Sequence, residues 1–440
     1  MKKTINGVIR RLLAVAALAT ATAVIPEPAH AATPVSTAYF NNPNIADQKT
    51  VIQDQIVSLI NGAPAGSLVR MAMFYADDPT IPNALVAAKN RGVNVQAVFS
   101  NKETGMAPYQ TLVSGLGTNL SASSWVLACG AGRGCIGQRT LGSTEAINHN
   151  KFFLFSSTNG AANVVVQSSA NLHTGRDGLG GWNNALMLVG NTGIYNAYSG
   201  YFSDLKAQQR NDDYYNTGRV PVASGNAKIH FFPRHESSGA SSPYSDPSTD
   251  TIETVLDHVK CTGNTTVGTN DGTHRTIIRV AMDIFSRSYL AQKLAALDNQ
   301  GCYVEVAETY DPTDSNQNAA MSALLKATSS AYNGVAVHYY CTDNAASGSQ
   351  KDHTNVWIHS KYIQVEGNYY DVPDRSITWT GSANFSYNSL RQSDETVLQY
   401  EDTSPAAAGS VFDAYRTNFR TIRDASNIYS AANGTTATCS

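Results

Sequence analysis

Between Gln48 and Ile60 the apolar residues fall at Val51, Ile52, Ile56, Leu59 and Ile60, the three-to-four spacing of one helix face. Ala38-Tyr39-Phe40 before it and Ser67 to Phe74 after it read as strands. Ile81 to Asn90 is a second helix, with Gly92 as its C-terminal stop, and Val93 to Phe99 is the next strand. The rhythm then restarts. Lys228 to Phe232 reads as a strand, Thr251 to Val259 as a helix, Thr276 to Met282 as a strand, Tyr289 to Asn299 as a helix and Tyr303 to Glu308 as a strand. Strand–helix–strand succession implies parallel pairing, with helices packed over the sheet.

The restart is a repeat. Leu68-Val69-Arg70-Met71-Ala72-Met73 matches Ile277-Ile278-Arg279-Val280-Ala281-Met282 at an offset of 209, and Arg91 to Val95 matches Gln300 to Val304 at the same offset. Trp125 to Cys129 matches Val337 to Cys341 at 212, and Ile194 to Tyr198 resembles Val411 to Tyr415. So long an offset with so little drift indicates two copies of one domain, not a solenoid. The boundary falls near 215–227, giving lobes of residues 32–220 and 221–440. Loops Gly130 to Asn148 and Thr342 to Val356 precede equivalent strands, and Glu236 to Asp250 reads as an exposed loop.

Residues 1–31 are set apart. Lys2, Lys3, Arg10 and Arg11 precede an uncharged apolar run from Leu12 to Ile25, and Ala29-His30-Ala31 is a small-x-small cleavage site. This is the pattern of a secretory signal peptide; the run is shorter than the roughly 20 residues of a spanning helix. A secreted, extracellular, monomeric protein without a transmembrane segment is expected. Its removal leaves 409 residues with a net charge of −6, which lacks the broad basic footprint of a general nucleic-acid binder. Six cysteines, Cys129, Cys135, Cys261, Cys302, Cys341 and Cys439, suit disulfides in an exported chain, and none has zinc-site spacing. Proximity favours Cys129 with Cys135; Cys261 at a helix end suits Cys302 at a strand start, leaving Cys341 to hold the tail through Cys439.

The chemistry lies in a second duplication. His149-Asn150-Lys151 and His359-Ser360-Lys361 are followed at similar distance by Ser169-Ala170-Asn171 and Ser382-Ala383-Asn384. Residues two apart on a strand share a face, so each lobe offers a histidine, a lysine and an asparagine from two strands. Such a set suits a phosphodiester. One imidazole attacks phosphorus, the other protonates the leaving alcohol and then activates water, and lysines and asparagines stabilise the developing charge without a metal or other cofactor. Ser169 and Ser382 read either as phosphate contacts or as strand-end residues. Trp182 reads as a pocket wall or a core residue, and His173, His338 and His353 carry no functional pattern.

These paired motifs resemble the phospholipase D superfamily, defined by two His-x-Lys-x4-Asp motifs, over essentially the whole mature chain. The resemblance implies an α/β fold of two similar lobes, each a mixed β-sheet flanked by helices, related by a pseudo-two-fold axis with the active site between them. It further implies His149 as nucleophile and His359 as general acid/base, or the reverse. The family's acidic position is Ser156 in lobe one and Glu366 in lobe two, the latter in a supporting role. Glu395 occupies a place where the family carries a histidine-orienting acid, and alignment of the following strands puts Asn184 opposite it. The expected substrate is a glycerophospholipid such as phosphatidylcholine at a membrane or vesicle surface, cleaved to phosphatidic acid and free headgroup. The alternative is a secreted endonuclease or another phosphodiesterase of the superfamily.

Overall fold

Two sheets with the same strand order form the framework, seen in a computed structural model that describes residues 33–328, 332, 334–342, 356–425 and 429–439. The leader, His353 and most of the loop from Thr342 to Val356 lie outside the described residues. The first sheet comprises β1 (Thr37–Asn41), β2 (Leu68–Met73), β3 (Asn94–Phe99), β4 (Trp125–Ala128), β5 (Lys151–Thr158), β6 (Ala161–Ser168) and β7 (Asn183–Leu188), in the order β1-β7-β6-β5-β2-β3-β4. The second holds β8 (Val222–Ser224), β9 (Ala227–Phe231), β10 (Val259–Lys260), β11 (Ile277–Met282), β12 (Tyr303–Tyr310) and β13 (Ala336–Cys341). Completing it are β14 (Lys361–Tyr369), β15 (Val372–Gly381), β16 (Thr396–Asp402) and β17 (Tyr429–Ala431). Its central order, β9-β16-β15-β14-β11-β12-β13, reproduces the first sheet strand for strand; β8, β10 and β17 are additions. In each lobe the strand–helix–strand segments pair in parallel (β2 with β3, β11 with β12), while the strands carrying the motifs pair antiparallel, so both sheets are mixed.

Ten helices are described: α1 (Val51–Asn61), α2 (Thr80–Asn90), α3 (Ala107–Leu116), α4 (Thr192–Ala207), α5 (Tyr214–Thr217), α6 (Thr251–Asp257), α7 (Ser288–Asn299), α8 (Ser315–Leu324), α9 (Tyr387–Arg391) and α10 (Val411–Arg423). Gly92, at φ 94°, takes the left-handed turn that ends the α2 segment. Helices α3 and α8 are additions to the sequence reading; they carry the parallel crossovers from β3 to β4 and from β12 to β13. Helix α6 is shorter than expected, because Val259 and Lys260 leave it to pair with Tyr369 and Asn368 of β14. Cys261 therefore follows a strand, not a helix. The bridges join Cys129 to Cys135, Cys261 to Cys302 and Cys341 to Cys439.

Apolar side chains form three buried layers. One lies beneath α1–α3 and another beneath α6–α8. The third joins the lobes: Phe152, Leu154, Tyr198 and Tyr201 pack in one cluster with Phe231, Tyr362, Tyr415 and Phe419. Burying a large apolar side chain of this kind contributes about 1.5–3 kcal/mol. The central layer is built from α4 and α10, the two segments whose sequences match. Trp182 belongs to this layer, at 1% exposure. No described helix is long and apolar enough to cross a membrane.

One buried group opposes stability. Glu308 on β12 is 1% exposed, its Oε1 has no hydrogen-bond partner, and burial pushes its carboxyl up to about 8. The fold therefore holds a proton that the unfolded chain releases near the ordinary value of 4.5. Stability present below that value is lost as pH rises towards about 8. Glu308→Gln should flatten the fall of Tm across this window and raise Tm by several degrees at its upper end. An unchanged Tm–pH slope would show that Glu308 ionises normally.

Candidate active site

Both motif lysines open the central strand of their sheet. Lys151 pairs with Met73 at the start of β5, and Lys361 with Met282 at the start of β14. Each Nζ donates to the carbonyl of its own motif histidine at 2.8 Å. Each lysine therefore curls back over the histidine two positions before it. All four side chains are buried, with His149 8% and His359 3% exposed.

The residues just before each motif strand cross to the other lobe. Asn148 bridges Asp394, with the His149 N–H donating to the Asp394 carbonyl at 3.0 Å. Trp182 bridges Ile358, with the Trp182 N–H donating to the Trp357 carbonyl at 2.8 Å. Consequently each imidazole is oriented by a residue of the opposite lobe. His149 Nδ1 lies 2.8 Å from Glu395 Oε1, and His359 Nδ1 lies 2.9 Å from Asn183 Oδ1. With Nδ1 engaged, Nε2 of each ring is the atom left for chemistry.

The orienting residue in lobe one is thus Asn183, not Asn184. Ser169 N–H bonds the Asn184 carbonyl as Ser382 N–H bonds that of Thr396, so Asn184 corresponds to Thr396 and Asn183 to Glu395. The connection after Ser169 is one residue longer than that after Ser382, which places Asn183, rather than Trp182, opposite Glu395. Asn184 instead ties the lobes together, donating to Thr380 Oγ1 at 2.6 Å and accepting from the Lys361 N–H at 3.0 Å. The two serines serve the orienting residues and are fully buried. Ser169 Oγ donates to Asn183 Oδ1 at 2.8 Å and accepts from the Asn184 N–H, while Ser382 Oγ accepts from the Thr396 N–H at 3.1 Å.

Asn171 and Asn384 are 4% and 5% exposed, and the Oδ1 of each has no hydrogen-bond partner. Asn171 Nδ2 donates to Asp177 at 2.9 Å. Asp177 in turn bonds His173 Nδ1, and His173 Nε2 lies 2.7 Å from Asp77. His173, without a pattern in the sequence, therefore stands between two carboxylates beside the site, and its hydrogen bond to Asp177 raises its proton affinity. His338 lies on β13, paired to β17. Glu366 lies five positions beyond Lys361 on β14 and forms ion pairs with Arg279 at 2.7 Å and Arg416 at 2.9 Å. It clamps α10 to the sheet and does not reach the imidazoles. Ser156, its lobe-one counterpart, accepts the Leu68 N–H at 2.8 Å.

Besides Asn183, a second site residue escaped the sequence reading. Asp283, 4% exposed, places Oδ2 3.3 Å from Lys361 Nζ and 3.6 Å from His359 Nε2. Its lobe-one counterpart is Phe74, whose ring stands 5.1 Å from that of His149 and 5.2 Å from Lys151 Nζ. The signal was available, since both residues directly follow the matched Ala-Met of the repeat.

Burial lowers the proton affinity of both histidines. For His149 the Glu395 carboxylate opposes this; for His359, Lys361 and Lys151 add to it and hold the ring well below its ordinary value. Burial also brings Lys151 down to about 7, against the pull of Glu395, and lowers Lys361 against that of Asp283. Each histidine senses the lysines of both motifs, so the two half-sites form a single electrostatic unit.

Comparison with known proteins gives the family and the fold. The family model for the phospholipase D-like domain of cardiolipin synthase matches twice, over residues 56–206 and 273–422. The chain belongs to this family, within the phospholipase D superfamily of phosphodiester-acting enzymes. Its fold is similar to that of phosphatidylserine synthase from Haemophilus influenzae Rd KW20, with a TM-score of 0.52 and 13% identity over 90% of this chain and 87% of that one. Polyphosphate kinase from Porphyromonas gingivalis is similar over 84% of the chain at a TM-score of 0.46 and 14% identity, and the chain spans about half that kinase (48%). Nuc, a phospholipase D family member from Salmonella typhimurium, matches over 40% of the chain and 96% of its own length, at a TM-score of 0.28 and 19% identity. No curated protein sequence matched the chain.

Proposed function

We propose that this chain is an exported phospholipase D, hydrolysing a glycerophospholipid such as phosphatidylcholine to phosphatidic acid and free headgroup. The observation that carries the mechanism is the unequal backing of two imidazoles at one site: Glu395 behind His149, Asn183 behind His359. His149 Nε2 attacks phosphorus as the bond to the headgroup oxygen breaks, and that oxygen takes the proton from His359. The resulting phosphohistidine carries positive charge on its ring, which the Glu395 carboxylate stabilises. Water then gives a proton to His359 and attacks phosphorus, the P–N bond breaks, and both histidines return to their starting states. His359 must begin this cycle protonated although burial disfavours its charge. A bound diester anion supplies the missing negative charge, and Asp283, 3.6 Å from Nε2, adds to it.

A lipid is favoured over a nucleic acid by charge. Asp77, Asp177 and Glu103 surround His173 beside the site and would repel a polyanionic strand, whereas a lipid presents one phosphate. The deciding experiment measures choline release from phosphatidylcholine vesicles beside plasmid nicking, both in excess EDTA. Choline release without nicking is expected. Nicking alone would replace the lipid reading with the nuclease one. Activity should survive the chelator, because Lys151 and Lys361, whose charge a bound phosphate would favour, can stabilise the transition state without a metal. Loss in EDTA with rescue by one divalent ion, measured on a soluble substrate, would refute that mechanism.

A further inference from the structure

The segment Cys129-Gly-Ala-Gly-Arg-Gly-Cys135-Ile-Gly137 is closed by a disulfide and begins where β4 leaves the first sheet, with the Cys129 N–H on the Phe99 carbonyl. Its backbone turns inward around one side chain of the other lobe. The Asp394 carboxylate accepts N–H bonds from Cys135 at 2.6 Å, Ile136 at 3.2 Å and Gly137 at 2.7 Å. Asp394, Cys129 and Cys135 are all at most 2% exposed. The approach is so close that side chains are excluded. A Cβ on Gly134 would stand 2.7 Å from Asp394 Oδ2, and one on Gly137 1.9 Å from the Gln392 carbonyl oxygen.

Asp394 also holds the strand of His149. Its N–H donates to the Ile147 carbonyl at 2.9 Å and its carbonyl accepts the His149 N–H at 3.0 Å. The next residue, Glu395, is the one that bonds His149 Nδ1. Thus one residue links the disulfide-closed loop, the backbone of His149 and the carboxylate behind its ring. Among the described residues the His359 half-site shows no such latch. Trp182, which corresponds to Asp394, offers an indole to the central apolar layer instead.

We propose that Asp394 is a positioning residue for His149: gripped by the disulfide-closed loop of lobe one, it fixes Glu395 and the imidazole in one geometry across the lobe junction. The assignment rests on His149 being the reacting histidine, as proposed above. A displacement of about 1 Å at such a site can cost on the order of 10²-fold in rate. Asp394→Asn replaces one acceptor oxygen by an amide that faces N–H donors, and so loosens the grip with little change in volume. It should lower kcat by roughly 10- to 100-fold and leave KM within about twofold.

The geometric readout is 15N-histidine NMR of the full chain, with His149 assigned through His149→Ala. The unaltered protein should hold His149 in the Nδ1–H tautomer, and Asp394→Asn should give a mixture with a changed proton affinity. Gly134→Ala, which crowds the carboxylate but keeps its charge, and the pair Cys129→Ser with Cys135→Ser should move the same signal. These variants stand in if Asp394→Asn does not fold. An unaltered His149 tautomer and titration in the folded variants would overturn the proposal. The NMR comparison needs no substrate, so it decides this point even if the assays overturn the phospholipase reading.

Discussion

His149→Ala should abolish turnover of every substrate, whereas His359→Ala should retain a first turnover on an aryl phosphodiester and leave the phosphoryl group on His149. The two histidines occupy equivalent places in the repeat, yet the structure gives them different surroundings. A carboxylate, Glu395, backs His149 and can neutralise the charge that phosphorylation puts on the ring; Asn183 behind His359 offers only a neutral oxygen. Removal of a nucleophile costs on the order of 10⁶-fold in comparable two-step hydrolases, leaving only what binding supplies. Loss of the acid costs roughly 10²–10⁴-fold for an alkyl leaving group. A p-nitrophenolate departs without protonation, so the first step survives in His359→Ala while the second, which needs His359 to activate water, stalls. Rapid acid quench and mass spectrometry of the histidine-containing peptides check this. An adduct on His359 in the His149 variant would reverse the roles, and no adduct in either variant would remove the covalent step.

The sequence made the duplicated frame legible because two independent periodicities agreed. Hydrophobic spacing marked β2, α2, β3 and their copies, and the long-range offset linked them. Helix α3 lies outside the elements that the spacing marked. Pro108 sits in the first turn, where its missing N–H costs nothing, and Pro108, Tyr109, Leu112 and Leu116 form the buried face. Helix α8 presents mostly small and polar residues and starts from the Asp314 cap, a feature visible only once the helix is known. Within the site, the motifs gave the histidines and lysines, since same-face geometry on a strand follows from alternation alone. What alternation cannot give is contact across the lobes. The pairing of Asn183 with His359 requires the lobes to meet, and the role of Asp283 depends on the end of β11 standing beside the motif of its own lobe. Glu395 was legible from family resemblance, whereas its anchoring through Asp394 required the fold.

Exchanging the groups behind the two imidazoles should exchange part of their behaviour. Glu395 is 1% exposed; burial disfavours its charge, yet the facing His149 and Lys151 hold its carboxyl below the ordinary value, so it is an anion in the resting site. Glu395→Gln keeps an oxygen for His149 Nδ1–H but removes that charge. His149 then loses the one influence opposing burial, and its proton affinity falls further. The pH at which it becomes a free nucleophile moves down, so the acidic limb of kcat/KM shifts to lower pH. The ring is also a weaker nucleophile and its phosphorylated form is less stable, and kcat should drop by roughly 10²–10⁴-fold. Asn183→Asp acts in the opposite sense on His359: a carboxylate at Nδ1 raises its proton affinity and moves the alkaline limb, where the acid is lost, to higher pH. With both substitutions, the carboxylate-backed ring is His359 and the amide-backed ring is His149. If backing charge selects the nucleophile, the trapped phosphoryl group in the double variant should appear on His359. If it stays on His149 at an undiminished rate, then Phe74 and Asp283, the other asymmetric pair at the site, set the roles instead.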